Sequence, residues 1–291
     1  MNFDRPIIIL AAPRSGSTLL FETLMATKNL YSIGGESHAV IEHIPELSTV
    51  ANGYISNTLT KNHATSDVTF LLKQRFSMGL RDREGRPPNK QQAVRFLEKT
   101  PKNALRVEFL NHVFPDALFI HLVRDPLPNI SSIIEAWQSG RFRTYPQLPG
   151  FNGEWSLLLP DNWQTMVGSP VEKIASFQWH ACNHSITESL KNISENRKIT
   201  INYADLLANP LEMVNRLLQF SGLVLDQHLE AKVTQPLATS RYTVSKPNEV
   251  KWHKHADDIL QYAPQLQPLV NNVNEHLIAS ASSQINLDSN R

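Results

Sequence analysis

The sequence has a single cysteine, Cys182, among 291 residues. One thiol excludes an internal disulfide framework and a cysteine-rich metal site, so we expect it to be buried and unreactive. Long apolar runs are also lacking, because none approaches the roughly 18–20 residues of a membrane-spanning helix. The N-terminal run IIILAAP is too short for a secretory signal, and Asp4 stands where a signal would be basic. The sequence therefore predicts a cytoplasmic protein.

A strong charge of either sign is lacking too. Lys and Arg total 28, Asp and Glu total 27, and the formal net charge is +1. This balance excludes a general electrostatic attraction to nucleic acid or to an anionic membrane, so any binding of anions must be local. Hydrophobic residues make up 41% and charged residues 19% of a chain long enough for one large domain or two small ones. Such a composition is typical of a globular protein with a sizeable core.

Apolar runs alternate with segments of helical periodicity along the chain. The predicted strands are 7–12, 94–98, 117–123 and 198–203. The predicted helices are 17–28, 102–114, 126–139 and 210–221. Runs that are apolar on both faces and separated by helices indicate an α/β fold with a central parallel β-sheet flanked by helices.

Two segments interrupt this alternation. Residues 42–92 are polar and are predicted to add helices and loops outside the sheet. Residues 140–170 contain Trp155 and Trp163 among prolines and glycines with weak periodicity, which is typical of a lid-like insertion over an active site. We therefore expect a single domain over 1–280, with 281–291 as a disordered tail or linker.

The first loop, APRSGSTLL, has the composition of an anion-binding turn. Gly16 permits close approach of the backbone, and Ser17 and Thr18 can cap the following helix and donate hydroxyl hydrogen bonds. The helix N-terminus attracts anions, and Arg14 adds a guanidinium that suits phosphate or sulfate oxygens. The alternative is a tight turn beside an arginine in a surface ion pair.

Three familiar loops do not match this segment. No Gly-Lys pair is present for a Walker loop, and neither Ser15 nor Ser17 satisfies the G-x-S-x-G pattern of a nucleophile elbow. The G-x-G-x-x-G dinucleotide fingerprint is also absent.

Two further cations directly follow or end apolar runs. Arg124 ends ALFIHLVR, and Ser132 follows eight residues later, a spacing at which both can reach one phosphate. Asp125, before Pro126, is expected to cap a helix. Lys99, in FLEKTPKN, is expected at the same edge of the sheet as Arg14 and Arg124, because parallel strands bind ligands at their carboxyl ends. Three cations at one edge favour a multiply charged ligand.

The segment SIGGESHAVIEH supplies acid–base candidates. Glu36 follows a Gly-Gly turn, and a carboxylate near positive charge stays ionised and can accept a proton from an alcohol. His38 could take the same role, although a lone histidine is more often structural.

These motifs together resemble the sulfotransferases that use 3′-phosphoadenosine 5′-phosphosulfate (PAPS). PRSGSTLL resembles the 5′-phosphosulfate loop of that family, VRDPLPNISS its 3′-phosphate motif, and GGESH and EKTPKN segments of its arginine-loop branch. INYADLLANP resembles a later strand end, and SKPNEVKWHKH a weaker C-terminal motif. The resemblance implies a P-loop-like α/β fold and the product adenosine 3′,5′-bisphosphate (PAP).

The resemblance also implies a role for each site residue. Arg14 would hold the sulfate and its bridging oxygen, while Lys99 would neutralise charge on the transferring group. Glu36 would be the base, with His38 and His253 as further catalytic candidates. The remaining cofactor-binding residues would be Ser15, Gly16, Ser17, Thr18, Arg124, Ser132, Tyr203, Lys246 and Lys251.

No metal is required by this scheme, because a sulfuryl group carries less negative charge than a phosphoryl group and cationic side chains can stabilise it. A metal site on His253 and His255 is not expected, since the sequence places no supporting ligand beside them.

The combination of motifs most resembles the sulfotransferase domains of bacterial polyketide and olefin synthases. This implies an acceptor hydroxyl on the β-carbon of an acyl chain carried by acyl carrier protein. A free-standing enzyme acting on a small alcohol, phenol or glycan is the first alternative. A non-catalytic PAP-binding protein and a nucleotide-dependent kinase are the others, the last disfavoured by the missing Gly-Lys pair.

Overall fold

A parallel sheet forms the centre of the protein. The computed structural model describes residues 1–89, 91–237 and 251–287. The strands of this sheet are β1 (Ile7–Leu10), β2 (Leu97–Lys99), β3 (Leu118–Val123) and β6 (Lys198–Asn202). They are ordered β2-β1-β3-β6, and β4 (Arg143–Tyr145) and β5 (Trp155–Ser156) form a separate antiparallel pair. The predicted α/β fold with a central parallel sheet is confirmed.

Helices cover both faces of the sheet. The α-helices are α1 (Ser17–Leu24), α2 (His38–Glu42), α3 (Ser66–Gly79), α4 (Val107–Val113), α5 (Pro126–Gln138), α6 (Val171–Leu190), α7 (Tyr203–Ala208), α8 (Pro210–Ser221), α9 (Gln227–Val233), α10 (Ala256–Leu260) and α11 (Ala263–Ala279). Short 3₁₀-helices are Pro45–Leu47, Lys61–His63, Pro101–Leu105, Trp163–Met166, Glu195–Arg197 and Lys251–His255. Among the helices of the described ranges, none has the length and apolarity needed to cross a membrane.

The alternation of side chains along β1 divides the core into two layers. Ile7 and Ile9 pack with residues of α1, α7, α8 and α9 on one face. Ile8 and Leu10 pack with α2 to α6, α10 and α11 on the other. Because β1 is buried on both faces, its sequence is continuously apolar rather than alternating.

The strand register brings several loops to one edge. In the parallel pairs, Ile9 aligns with Lys99 and Leu10 with His121. The segments after β1, β2, β3 and β6 therefore leave from the carboxyl edge of the sheet, where α/β proteins bind their ligands.

Several predicted elements differ from those observed. The strand expected over 7–12 ends at Leu10, and the helix expected over 17–28 ends at Leu24. The strand expected over 94–98 is shifted to Leu97–Lys99, because Val94 forms only an isolated bridge with Phe3. The helix expected over 102–114 is split into a 3₁₀-helix and α4 by Arg106, whose φ of −131° is not helical.

The two interruptions of the alternation have defined structures. Residues 42–92 contain α3 and two 3₁₀-helices, all outside the sheet. Residues 140–170 contain the β4–β5 pair and a 3₁₀-helix, with a small core of their own that includes the buried Tyr145, Trp155 and Trp163.

The C-terminal segment corrects the expectation of a disordered tail, at least over 281–287. Ile285 is 1% exposed, and its backbone is hydrogen-bonded in both directions to the side chain of Asn274 on α11. The polar composition of this segment concealed the apolar side chains Ile285 and Leu287, which extend the core. Residues 288–291 lie outside the described part of the chain.

Candidate active site

The loop between β1 and α1 has a strained backbone that closely fits its surroundings. Arg14 and Gly16 have φ of 66° and 98°, and Gly16 is the residue at the N-terminus of α1. A Cβ atom on Gly16 would lie 2.2 Å from Cε2 of Tyr203, the residue that follows β6. Only glycine satisfies both conditions, so Gly16 lets the Tyr203 ring pack directly against the loop backbone.

The hydroxyl groups of the first loop differ in what they contact. Ser15 Oγ donates to the carbonyl of Ala12 at 2.8 Å and is buried, so it stabilises the turn. Thr18 Oγ1 accepts a hydrogen bond from Lys99 Nζ at 3.2 Å. The prediction that Ser17 or Thr18 caps the helix is wrong, because Gly16 occupies the capping position and the helix has no side-chain cap. Ser17 lies in the first turn and is buried.

Arg124 contacts the backbone of Arg14. It donates from Nη1 to the Arg14 carbonyl at 3.2 Å, and its guanidinium lies 5.4 Å from the centre of the Tyr203 ring. Burial, and then the positive charge of Arg124, lowers the pKa of Arg14. Because burial and a second positive charge both disfavour the charged form of Arg14, an anion bound here would be stabilised.

Helix α5 presents one face to this pair. Asn129 donates from Nδ2 to the Pro13 carbonyl at 2.8 Å. Ser132 and Glu135 follow at three-residue spacing and therefore share that face, and the charge of Glu135 raises the pKa of Arg14. Ser132 is thus on the side of α5 that faces the first loop, as its predicted role requires.

Asp125 does not cap α5 as predicted. No side-chain hydrogen bond caps this helix, and Asp125 Oδ1 instead accepts from the backbone N–H of Asn286 at 3.0 Å. The C-terminal segment therefore reaches the start of α5, a contact that the local sequence could not indicate.

Lys99, Glu36 and His38 form a connected group that contacts the loop through Thr18. Lys99 Nζ donates to Glu36 Oε1 at 2.6 Å, and His38 Nε2 lies 2.7 Å from Glu36 Oε2. Burial alone would raise the pKa of Glu36, but the hydrogen bond to His38 and the charge of Lys99 outweigh it and lower that pKa to about 2. Glu36 is therefore ionised at neutral pH.

A second carboxyl group, that of Glu98, stabilises the turn that carries Glu36 and His38. Glu98 is 1% exposed, and its Oε1 accepts from Ser37, Thr100 and Asn103 at 2.5, 2.7 and 3.0 Å. Burial raises the pKa of Glu98 despite these hydrogen bonds. Ser37 lies between Glu36 and His38, so the Glu98 network fixes the turn that carries both of them.

A buried ion-pair network joins the same region to residues 140–170. Glu42 Oε1 accepts from Lys102 Nζ at 2.8 Å and from Arg106 Nη2 at 2.6 Å. Lys102 also donates to the hydroxyl of Tyr145 at 3.1 Å, and Asn57 donates to that hydroxyl at 2.5 Å. The base of the β4–β5 segment is therefore anchored to the Glu42 network.

Residues 140–170 also contact Arg14. The Arg14 guanidinium carbon lies 4.8 Å from the centre of the Phe142 ring, a cation–π distance. The segment predicted to be a lid thus contacts the cation predicted to hold the sulfate.

The C-terminal candidates are not all joined to this group. His253 is exposed and packs edge to face on Trp252 at 4.2 Å, and no contact of the described residues joins it to Arg14, Lys99 or Glu36. Its neighbour Lys254 instead pairs with Glu135 at 2.8 Å. Lys246 lies outside the described residues, as does the side chain of Lys251.

The expectation that His255 has no supporting metal ligands needs correction. Glu172 and Asp258 lie beside it, and one ligand atom from each of the three residues lies within 4.8 Å of the others. Glu172 is far away in the sequence, and the sequence therefore gave no sign of this cluster.

Several contributors to the site went unnoticed in the sequence. Asn129, Phe142 and Glu135 touch or influence the first loop, while Glu98 and Glu42 support the turn and residues 140–170. A charged residue inside an apolar strand, as Glu98 is in VRFLEK, is a usable signal because a buried charge needs partners. For Phe142 and Asn129 no such signal exists, since their contacts come from distant parts of the chain.

Comparison with known proteins identifies the family and the fold of this chain. Residues 6–227 match the family model described as "Sulfotransferase family". No curated protein sequence is significantly similar to this chain.

Among solved structures, a sulfotransferase domain from the curacin biosynthetic pathway is 18% identical, with a TM-score of 0.54 over 98% of this chain and 100% of that one. Sulfotransferase STF9 from Mycobacterium avium is 18% identical, with a TM-score of 0.50 over 92% and 77%. A sulfotransferase from Alicyclobacillus acidocaldarius is 13% identical, with a TM-score of 0.51 over 96% and 97%. At these identities the structures show a shared fold, whereas the family model spans most of the chain. The chain belongs to the sulfotransferase family.

Proposed function

We propose that this protein transfers the sulfuryl group of PAPS to a hydroxyl acceptor at the carboxyl edge of the sheet. The observation that carries the proposal is that two further cations contact the loop that contains Arg14. Arg124 donates to the backbone carbonyl of Arg14, and Lys99 donates to the hydroxyl of Thr18. In a chain of net charge +1, this arrangement suits a ligand with several negative charges.

The residues present fit PAPS. The loop from Arg14 to Thr18 leads into the N-terminus of α1, whose backbone N–H groups would bind the 5′-phosphosulfate. Arg124, with Ser132 on the facing side of α5, would hold the 3′-phosphate. Tyr203 packs against Gly16 and lies beside Arg124, and these contacts support the role near the nucleotide that the resemblance implies. Lys246 and Lys251 stay predicted partners of the 3′-phosphate.

The side chains of this protein would stabilise charge and move one proton. When bound, PAPS supplies the sulfuryl group and a phosphate leaving group. Arg14 would hold the bridging oxygen, where negative charge develops, and Lys99 would neutralise the transferring group. The loop and the two arginines would align acceptor and donor in line. We predict that no metal ion is required.

We propose Glu36 as the base. Its low pKa makes it a weak base, but the acceptor hydroxyl becomes strongly acidic as its oxygen gains the sulfuryl group, so a weak base suffices. Lys99 contacts Oε1 of Glu36 and His38 contacts Oε2, so Glu36 would take the proton on a carboxylate lone pair that neither of them uses. His38 would orient Glu36 through its 2.7 Å contact. His253 has no described contact that supports a catalytic role.

For the acceptor, we propose the β-hydroxyl of an acyl chain on acyl carrier protein. The support is the set of sequence motifs shared with sulfotransferase domains of polyketide and olefin synthases. The contact of Phe142 with Arg14 and the anchoring of Tyr145 support residues 140–170 as the lid over the acceptor. A small alcohol, phenol or glycan is the alternative acceptor, and we predict a cytoplasmic enzyme.

A transfer assay tests the proposed function. The protein is incubated with PAPS and a panel of β-hydroxyacyl carrier proteins, alcohols, phenols and glycans, and each acceptor is examined by mass spectrometry. We expect the mass gain of one SO₃ group on the carrier-bound substrates, with release of PAP. Transfer only to small acceptors would overturn the carrier-protein proposal, and tight PAPS binding without any transfer would favour a non-catalytic PAP-binding protein.

A further inference from the structure

A cluster of metal-ligating side chains lies outside the candidate active site. Glu172 is in the first turn of α6, His255 ends the 3₁₀-helix before α10, and Asp258 lies in α10. One ligand atom from each lies within 4.8 Å of the other two. Glu172 and His255 are partly buried and Asp258 is exposed, so the cluster is open to solvent on one side.

The three side chains lie close together without bonding to one another. The described residues show no hydrogen bond or ion pair between His255 and either carboxylate, whereas the adjacent Lys254 pairs with Glu135 at 2.8 Å. Ligands bound to one Zn²⁺ at about 2.0–2.2 Å lie roughly 3–3.5 Å apart in tetrahedral geometry. Because the three ligand atoms all lie within 4.8 Å of one another, a shift of about 1–2 Å at most, which side-chain rotation can supply, would let them share one ion.

Two features of the cluster favour a bound cation. Nε2 of His255 is buried and has no hydrogen-bond partner, which is rare for a buried polar atom. One carboxylate oxygen of Glu172 and one of Asp258 lie within 4.8 Å of each other, and the adjacent ammonium of Lys254 is paired with Glu135 instead. A divalent cation would neutralise the two carboxylates and bind the imidazole.

We propose that Glu172, His255 and Asp258 form a binding site for a divalent transition-metal ion, and that Zn²⁺ suits their donor atoms best. One imidazole nitrogen with two carboxylate oxygens is a ligand set that zinc accepts, whereas Mg²⁺ prefers oxygen ligands alone. Water would complete the coordination on the exposed side. The site is distinct from Arg14, Lys99 and Glu36, and it is independent of the proposed sulfuryl transfer.

The ion would have a structural effect. Residues 251–260 follow the segment 238–250 and pack on α5 and α6, where Lys254 pairs with Glu135. A metal ion bound by Glu172, His255 and Asp258 would hold residues 251–260 against α6. Zinc should therefore raise the melting temperature of the protein.

Zinc titration with matched variants tests the proposal. The metal-free protein is titrated with ZnCl₂ by calorimetry, and bound zinc is measured after dialysis by mass spectrometry. We expect one Zn²⁺ per chain, with affinity reduced at least about tenfold in Asp258→Asn and His255→Gln. The exposed Asp258 should tolerate its substitution, and circular dichroism in EDTA checks that both variants fold.

Two controls separate this cluster from other sites. Asp257→Asn removes a neighbouring exposed charge, and His184→Gln removes one of the two histidines that stack on α6 at 5.6 Å. Both variants should bind zinc as the original protein does, and the zinc-dependent rise in melting temperature should be lost only in the ligand variants. Absence of zinc binding, its persistence in Asp258→Asn and His255→Gln, its loss in His184→Gln, or equal affinity for Mg²⁺ would each overturn the proposal.

Discussion

Lys99 Nζ and Glu36 Oε1 lie 2.6 Å apart, although 63 residues separate them in the sequence. Lys99 ends β2, and Glu36 lies in a turn that the buried Glu98 holds through Ser37. The same ammonium reaches Thr18 at the start of α1. A cation and a carboxylate are thus fixed against the first loop, where we place the transferring group and the acceptor hydroxyl.

Replacing the proposed base should separate catalysis from binding. Glu36→Gln keeps the size of the side chain but removes its charge, so the transfer rate should fall by roughly 10²–10⁴, while calorimetry with PAP shows nearly unchanged affinity. Glu188→Gln, at an exposed ion pair with Lys191, is the matched control and should be fully active. Full activity of Glu36→Gln would contradict the assignment and point to His38.

The pH profile distinguishes Glu36 from His38. The pKa of Glu36 is lowered to about 2, so its carboxylate is ionised throughout the neutral range. The transfer rate should therefore stay level on the acid side between about pH 8 and pH 5. A rate that falls steeply toward acid within this range would instead indicate a histidine base. Initial rates at saturating PAPS measure the difference.

Arg14 should contribute mainly to the rate. Its proposed partner is the oxygen on which charge develops, so Arg14→Ala should lower kcat by roughly 10²–10³. Arg14→Lys should recover part of the loss, because the charge is kept and the guanidinium fork is not. The control is Arg86→Ala, at an exposed ion pair far along the chain. Equal kcat for Arg14→Ala and Arg86→Ala would contradict the role.

The sheet and its edge were predictable because they depend on local patterns. The continuous apolar run of β3 and the helix Pro210–Ser221 follow directly from their sequences, and the latter has the predicted bounds. The cations Arg14, Lys99 and Arg124 were identified because each ends or follows such a strand. Parallel topology then places strand ends at a common edge without further information.

The remaining contacts were not predictable because they depend on distant segments. Asp125 was expected to cap α5, yet it accepts from the backbone of Asn286, 161 residues away. The contact of Phe142 with Arg14 depends on how residues 140–170 fold back, which weak periodicity cannot indicate. The cluster around His255 required Glu172 from another helix.

Gly16 should tolerate no side chain. Gly16→Ala adds a Cβ atom 2.2 Å from the Tyr203 ring at a φ of 98°, so the loop or the ring must move. We expect the affinity for PAP to fall at least about tenfold, because the displaced loop would lose a charge-assisted contact with the nucleotide. Gly85→Ala is the control, because φ is 80° there and the added atom meets open space. Equal PAP affinity in both variants would show that the close fit is unimportant.

The Glu42 network should be essential for stability. Glu42→Gln leaves Lys102 and Arg106 buried without their anion, and breaking such a buried pair costs about 3–5 kcal/mol. Urea unfolding measures this loss, and the exposed Glu188→Gln should show little change.

Acid should weaken the same network. Burial alone would raise the pKa of Glu42, but Lys102 and Arg106 outweigh it and lower the pKa below its ordinary 4.5. The stabilisation is therefore fully present above pH 4.5 and is lost as pH falls through the lowered pKa. The stability difference between the original protein and Glu42→Gln should shrink over that acid range. A difference that is independent of pH would contradict this explanation.

Binding of PAP to the original protein and to Arg124→Ala, measured by calorimetry beside ATP with Mg²⁺, tests the central claim most directly. We predict one PAP per chain, bound more tightly than ATP, and an affinity roughly tenfold to hundredfold lower in Arg124→Ala but unchanged in Arg86→Ala. Preference for ATP with Mg²⁺, or equal PAP affinity in Arg124→Ala, would contradict the claim that these cations hold a 3′-phosphorylated nucleotide.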